Sequence, residues 1–227
     1  MVPETIVISL GGSVIIPEEI DVDFLREFRD LILSHVKAGK KFVIITGGGK
    51  VCRKYQNALQ GIVELSNDEQ DWLGIYATRL NAEFVRILFD GHSEDHIILD
   101  PTQPVDFKRP IVVGGGWKPG WSTDYDAVML AKQLGAKKII NLSNAEYVYD
   151  SDPRVNKNAK KIEKISWANY RKIIPSDWTP GLNAPFDPIA SKLAEEAKLD
   201  VIIMNGKPIL NFAKCLNGEA FLGTVIS

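Results

Sequence analysis

Apolar positions along this chain switch repeatedly between two rhythms. Short, almost unbroken apolar runs at Thr5–Leu10 (TIVISL), Lys41–Thr46 (KFVIIT), Ile111–Val113 and Lys137–Leu142 (KKIINL) predict strands covered on both faces, since a strand with one face in water alternates apolar with polar. Between these runs the spacing lengthens to that of a helix. Phe24, Leu25, Phe28, Leu31, Ile32 and Val36 predict a helix that starts at Asp21 and is closed by Gly39. A longer one is expected from Asp68 to Leu88, with Trp72, Ile75, Tyr76, Leu80, Phe84, Val85 and Leu88 as its apolar stripe. Asp71 and Arg79 interrupt that stripe, and spacing alone assigns them to a solvated rim. Ile97–Leu99 reads as a short strand, and Pro101, Pro104 and Pro110 mark a loop. A helix from Ser122 to Gly135 follows, then a polar loop over 143–162 rich in Asp, Asn and Lys. A turn at Pro180–Pro188 leads to a helix from Asp187 to Leu199, and strands at Val201–Met204 and Ala220–Ile226 flank a helix at Asn211–Leu216. Strands alternating with helices predict an α/β fold with an open, mostly parallel sheet covered on both faces.

Three of these strands run into glycine: Gly11-Gly12, Gly47-Gly48-Gly49 and Gly114-Gly115-Gly116. Glycine permits close approach of an anion, and the free N–H groups of a helix start favour phosphate. Three such joints at the carboxyl edge of a parallel sheet predict one crevice with room for more than one phosphoryl group. Lys50, Arg53 and Lys54 crowd the first turns of the helix after Gly49, where the helix dipole opposes cations unless an anion is also bound. Ser122, Thr123 and Asp124 stand where an N-cap belongs.

Composition narrows the chemistry. With 227 residues, 45% of them hydrophobic, the chain can bury a full core, as one large domain or two tightly joined lobes. A net charge of −2 offers no global field for nucleic acid or an anionic membrane, so any phosphate site is local. Cys52 and Cys215 have neither disulfide nor zinc spacing, and with the lack of a signal-like N-terminus this predicts a cytoplasmic protein. The sequence contains no G-x-x-x-x-G-K-[ST], G-x-G-x-x-G or G-x-S-x-G, and His35, His92 and His96 form no triad or metal spacing.

The segments ISLGGSV, ITGGGKVCRKY, GGGWKPGWSTDYDAV, YVYDSDPRVNKNAKKI and PFDPIASKLA resemble, in order and spacing, the amino-acid-kinase family, and look most like its uridylate (UMP) kinases of the archaeal type. The resemblance spans essentially the whole chain. It implies a single domain over 1–227 with a three-layer αβα sandwich, an N-terminal half on the UMP side and a C-terminal half on the ATP side. It further implies transfer of the ATP γ-phosphoryl group to UMP, Mg²⁺ accompanying ATP, no resident metal, and a homo-oligomer, typically a hexamer. By the same resemblance, Gly11, Gly12 and Ser13 hold the transferring phosphates, and Asn144, Tyr149 and Asp152 with Pro153 contact the adenine nucleotide. Gly47, Gly48 and Gly49 form the acceptor loop, Arg53 grips the UMP phosphate, Asp71 accepts from the ribose hydroxyls, and Thr123 touches the acceptor. Asp187 matches the acidic residue that orients the catalytic centre, with Asp124 expected to act beside it. Three departures stand out. Ser9 and Asn141 occupy positions at or near which bacterial members carry lysines, and Glu146-Tyr147 replaces the usual Asp-Gly. Lys50 and Lys118 are the candidates to replace the missing cations. The other readings are a kinase of the same fold acting on isopentenyl phosphate, acetylglutamate or carbamate, and a non-catalytic nucleotide-binding or oxyanion-storage protein.

Overall fold

A computed structural model describes residues 4–177 and 184–227. Its centre is a seven-stranded sheet built from β1 (Thr5–Leu10), β2 (Lys41–Thr46), β3 (Ile111–Gly114), β4 (Lys138–Ser143), β7 (Lys164–Ile165), β8 (Asp200–Asn205) and β9 (Thr224–Ile226), in the spatial order β3-β2-β1-β4-β8-β9-β7. All pairs are parallel except β8 with β9. The register aligns Leu10 with Thr46 and Leu142, and Ile45 with Gly114, so the carboxyl ends of β1 to β4 share one edge.

Alternation along the buried strands splits the core in two. Ile6, Ile8, Leu10, Phe42, Ile44 and Ile140 face α2 (Val22–Lys37), the C-terminal half of α4 (Asn67–Leu88) and α8 (Ile209–Asn217). Val7, Val43, Ile45, Ile139, Val201 and Ile203 face α5 (Thr123–Leu134), α6 (Trp167–Ile173) and α7 (Pro188–Glu196). The expected layers, helices on both faces of a mostly parallel sheet, are therefore present. Two further helices follow strand ends, α1 (Gly12–Ile15) after β1 and α3 (Gly49–Gln60) after β2. Helix ends follow local chemistry: Asp21 caps α2 by accepting from Phe24 N at 3.0 Å, Ser66 and Glu69 form a capping box on α4, and Gly135 closes α5 at φ +66°.

Several expectations change. On α4 the buried face is Ile75, Ala77, Thr78, Asn81, Ala82 and Val85, while Trp72, Tyr76, Leu80 and Phe84 of the expected stripe are exposed. Close packing on the glycine strand ends selects small and hydrogen-bonding residues, which hydrophobicity alone passes over. Ile97–Leu99 reduces to one bridge, Ile98 to Gly114, and the last strand shrinks to Thr224–Ile226. The polar 143–162 segment contains a two-residue antiparallel pair, β5 (Val148–Tyr149) with β6 (Lys161–Ile162). Helix α7 stops at Glu196, and α6 was not expected. Of the Pro180–Pro188 turn, 180–183 lie outside the described residues.

Candidate functional site

Two of the glycine joints meet backbone to backbone. A Cβ built on Gly12 would lie 2.3 Å from Gly49 N and 2.5 Å from Gly47 O, and one on Gly49, itself at φ +64°, would lie 2.5 Å from Gly12 C. Gly11 N donates to Leu142 O at 2.8 Å and Gly47 N to Leu10 O at 2.9 Å, stitching the ends of β1, β2 and β4 together. The starts of α1 and α3 lie at this junction; in α1 Val14 N turns back to Gly11 O at 2.9 Å, and the N–H groups ahead of it at a helix start have no partner within the helix. The third joint behaves differently from expectation. Gly115 N donates to Ile98 O and Gly116 N to Thr78 Oγ1, so these amides are spent on the fold rather than aimed at a ligand.

Beside the junction, Asp124 sits in the first turn of α5, one residue past Thr123. Its Oδ1 accepts from Ser9 Oγ and Asn141 Nδ2, both at 3.1 Å, and its Oδ2 accepts from Asp187 N at 3.1 Å. Ser9 and Asn141 are register partners on β1 and β4, so they lie side by side and deliver neutral donors to one carboxylate oxygen. Burial, with the neighbouring Asp187 charge second, raises the Asp124 carboxyl to about 7, against the pull of those donors. Asp187 caps α7, its Oδ1 accepting from Ala190 N at 2.6 Å, and burial raises its pKa as well. The sequence reading did not include Tyr170 of α6, whose hydroxyl accepts from Phe186 N and donates to Phe186 O, both at 2.7 Å, fixing the approach to Asp187.

A cavity of about 670 Å³ opens over this cluster, within the usual range for a nucleotide-sized ligand. Ser9, Gly11, Gly47, Thr123, Asp124 and Asn141 form one end. The expected donor residues Asn144, Tyr149 and Asp152 line the other, together with Pro153 and Arg154. Arg154 grips Asp152 in a fork, Nε to Oδ1 at 3.0 Å and Nη2 to Oδ2 at 2.7 Å, which holds the Asp152 carboxyl down at about 2. Among the described lining residues Arg154 is the sole Lys or Arg, and the lining carboxylates are Asp124, Glu146 and Asp152.

Of the expected acceptor residues, Gly47 and Thr123 line the cavity, whereas Arg53 and Asp71 lie on α3 and α4 outside its lining. Arg53 is exposed in the second turn of α3. Asp71 Oδ2 accepts from Gly120 N at 2.8 Å, a half-buried tether rather than a solvated rim, and burial raises its pKa. Cys52 lies within electrostatic reach of both Arg53 and Asp71. Gly12, Ser13, Gly48, Gly49 and Asp187 also sit at the junction without lining the cavity. Lys50 pairs with Glu18, and the Lys118 ammonium lies 3.9 Å from the centre of the Trp117 ring, so both are engaged outside the cavity. Sequence reasoning missed the buried polar side chains that hold the glycine loops: Asn81 Nδ2 donates to Gly47 O at 2.7 Å and Thr46 Oγ1 to Thr78 O at 2.8 Å. Their signal was a polar residue at an inward position of an apolar element.

Comparison with known proteins finds relatives along nearly the whole chain. The model of the amino acid kinase family matches residues 4–205. The uridylate kinase of Archaeoglobus fulgidus is 34% identical over 233 residues, covering 98% of this chain and 99% of that one. That of Thermoplasma acidophilum is 32% identical over 235 residues, covering 98% and 96%. The crystal structure of the Archaeoglobus fulgidus uridylate kinase matches with a TM-score of 0.83 at 31% identity, over 99% of this chain and 100% of that one. The UMP kinase structure from Bacillus anthracis shares the fold, with a TM-score of 0.74 at 21% identity and coverage of 99% and 96%.

Proposed function

The chain belongs to the amino acid kinase family, and from that premise we propose that it transfers the γ-phosphoryl group of ATP to UMP, giving ADP and UDP. The observation that carries this reading is the junction of Gly12 with Gly47–Gly49, floored by Asp124, which joins the cavity to the α3–α4 side. In this reading ATP lies in the cavity with its nucleoside against Asn144, Tyr149 and Asp152 and its phosphates toward Gly11, Gly12 and Ser13. UMP lies across the junction, its phosphate at Gly48, Gly49 and Arg53, with Asp71 and Thr123 on the nucleoside. A phosphate oxygen of UMP attacks the γ-phosphorus, the bond to the ADP oxygen breaks, and charge on the transferring group is met by the helix-start N–H groups. Lys50 or Lys118 supplies a further positive charge after leaving its present partner. Asp124 and Asp187 orient the donors around the centre.

Mg²⁺ is carried in on the ATP phosphates and supplies charge neutralisation there. Among the described residues no group of three or more His, Cys, Asp or Glu is arranged to hold a metal ion. Trp72, Tyr76, Leu80, Phe84 and Ile87 stand exposed along the outer side of α4, and this apolar ridge supports a homo-oligomer, with a hexamer as the expected order.

The deciding experiment follows ADP release with ATP, Mg²⁺ and a panel of acceptors: UMP, isopentenyl phosphate, acetylglutamate and carbamate. Turnover with UMP well above the others supports the reading. Preference for another acceptor moves the chain to a different kinase of the family, and nucleotide binding without turnover makes it a binding protein.

A further inference from the structure

The turn from Gly116 to Gly120 joins β3 to the Ser122 cap of α5, and side chains hold its main chain at almost every step. Gly116 N donates to Thr78 Oγ1 at 2.7 Å. Arg79 spans the next two carbonyls, with Nε donating to Gly116 O at 3.1 Å and Nη2 to Trp117 O at 2.7 Å. Trp117 N donates to Asp126 Oδ2 at 3.1 Å, and Gly120 N to Asp71 Oδ2 at 2.8 Å. The Trp117 residue is thus gripped through its N–H by α5 and through its C=O by α4. The fit is close as well: a Cβ on Gly115 would meet the Arg79 backbone at 3.0 Å.

Asp126 is the unusual member. It is 1% exposed, and its Oδ1 has no hydrogen-bond partner among the described residues. A buried polar atom left unpaired costs stability, so an apolar residue there would suit packing alone better. Around it stand Arg79 from α4, Asp100 from the loop before β3, and Asp124 and Tyr125 from its own helix. Neutral, the carboxyl keeps one oxygen as the acceptor for Trp117 N. Ionised, it leaves a buried charge whose second oxygen has no donor.

We infer that Arg79 and Asp126 are positioning residues for the acceptor, acting through the backbone of Gly116 and Trp117 to fix the turn that runs into Thr123 and Asp124. The inference rests on the functional reading above. It assigns the effect to the acceptor because the turn is tied to α4, which carries Asp71, whereas the 144–154 wall comes from the segment after β4, across the cavity. Burial holds this carboxyl protonated up to about 8, so at neutral pH the hold on Trp117 N is that of a neutral acid oxygen.

Steady-state kinetics with the full-length protein test this. Arg79→Met should raise the UMP KM about tenfold or more while the ATP KM stays within about twofold, as expected for loss of charge-assisted bonds on one side only. Arg79→Lys should recover part of the loss, because a single ammonium cannot span both carbonyls as the planar fork does. Asp126→Ala, which removes the acceptor for Trp117 N, should raise the UMP KM several-fold with the ATP KM within about twofold, and Asp126→Asn, whose amide oxygen can still accept from Trp117 N, should keep most of the wild-type value. Melting temperatures report folding of each variant, and where Arg79→Met does not fold, Arg79→Lys and the Asp126 pair carry the test. A wild-type UMP KM in the folded Arg79 variants, equal rises in both KM values, or equal UMP KM values in Asp126→Ala and Asp126→Asn overturns the inference while wild-type turnover of UMP keeps the functional reading. A wild-type protein that phosphorylates no acceptor of the panel overturns the functional reading, and the inference with it.

Discussion

Replacing Gly12 by alanine adds one methyl group at the most crowded point of the junction. Its Cβ would stand 2.3 Å from Gly49 N, 2.5 Å from Gly47 O and 2.7 Å from Gly48 C, all of them backbone atoms that no side-chain rotation can clear. An ordinary contact begins at 3.4 Å, so the two loops must part by about 1.1 Å. Overpacking of this kind costs on the order of 1–3 kcal/mol of stability. The functional cost is expected to be larger in proportion, because a shift of about 1 Å in reacting groups lowers rate by roughly 10²-fold. Gly91→Ala is the control: its Cβ meets nothing within 4 Å, and it bears only the strain of φ +79°, about 1–2 kcal/mol, with no displacement of the junction. Measured as ADP release from ATP and UMP, with melting temperature alongside, Gly12→Ala should lose about two orders of magnitude in kcat/KM, and Gly91→Ala should lose only stability. A Gly12→Ala protein with kcat/KM within about threefold of wild type would refute the claim that these loops jointly set the phosphate geometry.

Other perturbations separate the parts of the site. Arg53→Ala should raise the UMP KM roughly 10- to 150-fold with little change for ATP, and an unchanged UMP KM takes Arg53 out of the acceptor site. Double replacement of Lys50 and Lys118 by Met should lower kcat by about 10²–10³ at saturating substrates, whereas retention within about threefold means that neither supplies charge to the transition state. Stability should depend on pH in a definite direction, since burial raises Asp124 to about 7 and Asp126 to about 8. The folded state holds these protons more tightly than the unfolded chain, so their contribution is complete below about pH 4 and is lost as pH rises toward about 8. Melting curves of Asp126→Asn should therefore decline less between about pH 5 and about 8 than those of the wild type; an equal decline would mean that Asp126 is not held neutral.

Much of this molecule is written locally. The buried strands, the Asp21 and Ser122 caps and the closing glycines Gly39 and Gly135 follow from residues within a few positions of one another, and they appear near where the pattern places them. Gly12 and Gly49 could be singled out from sequence because a glycine directly after a buried strand is a local sign. What the sequence could not supply was the identity of the partner: Gly12 faces Gly49, whereas Gly115 faces Arg79, and only the first contact builds the phosphate junction. The same limit explains α4, where hydrophobicity favoured Trp72, Tyr76 and Leu80, while packing against backbone chose Thr78, Asn81 and Ala82 for the inner face.

The sequence by itself determined the order of the buried strands β1 to β4 and of the helices α2 to α5, the glycine turns at their junctions and the absence of any motif for hydrolysis or P-loop chemistry, because each depends on near neighbours and on backbone freedom. Tertiary structure decided which polar groups work together. Ser9 reaches Asp124 across 115 residues of chain, Asp187 reaches it across 63, and Arg79 reaches Trp117 across 38. Burial and hydrogen-bond partnership are properties of the assembled sheet, and they turn Asp124 and Asp126, which lie two positions apart in one helix start, into the centre of a candidate active site and the brace of its neighbouring turn.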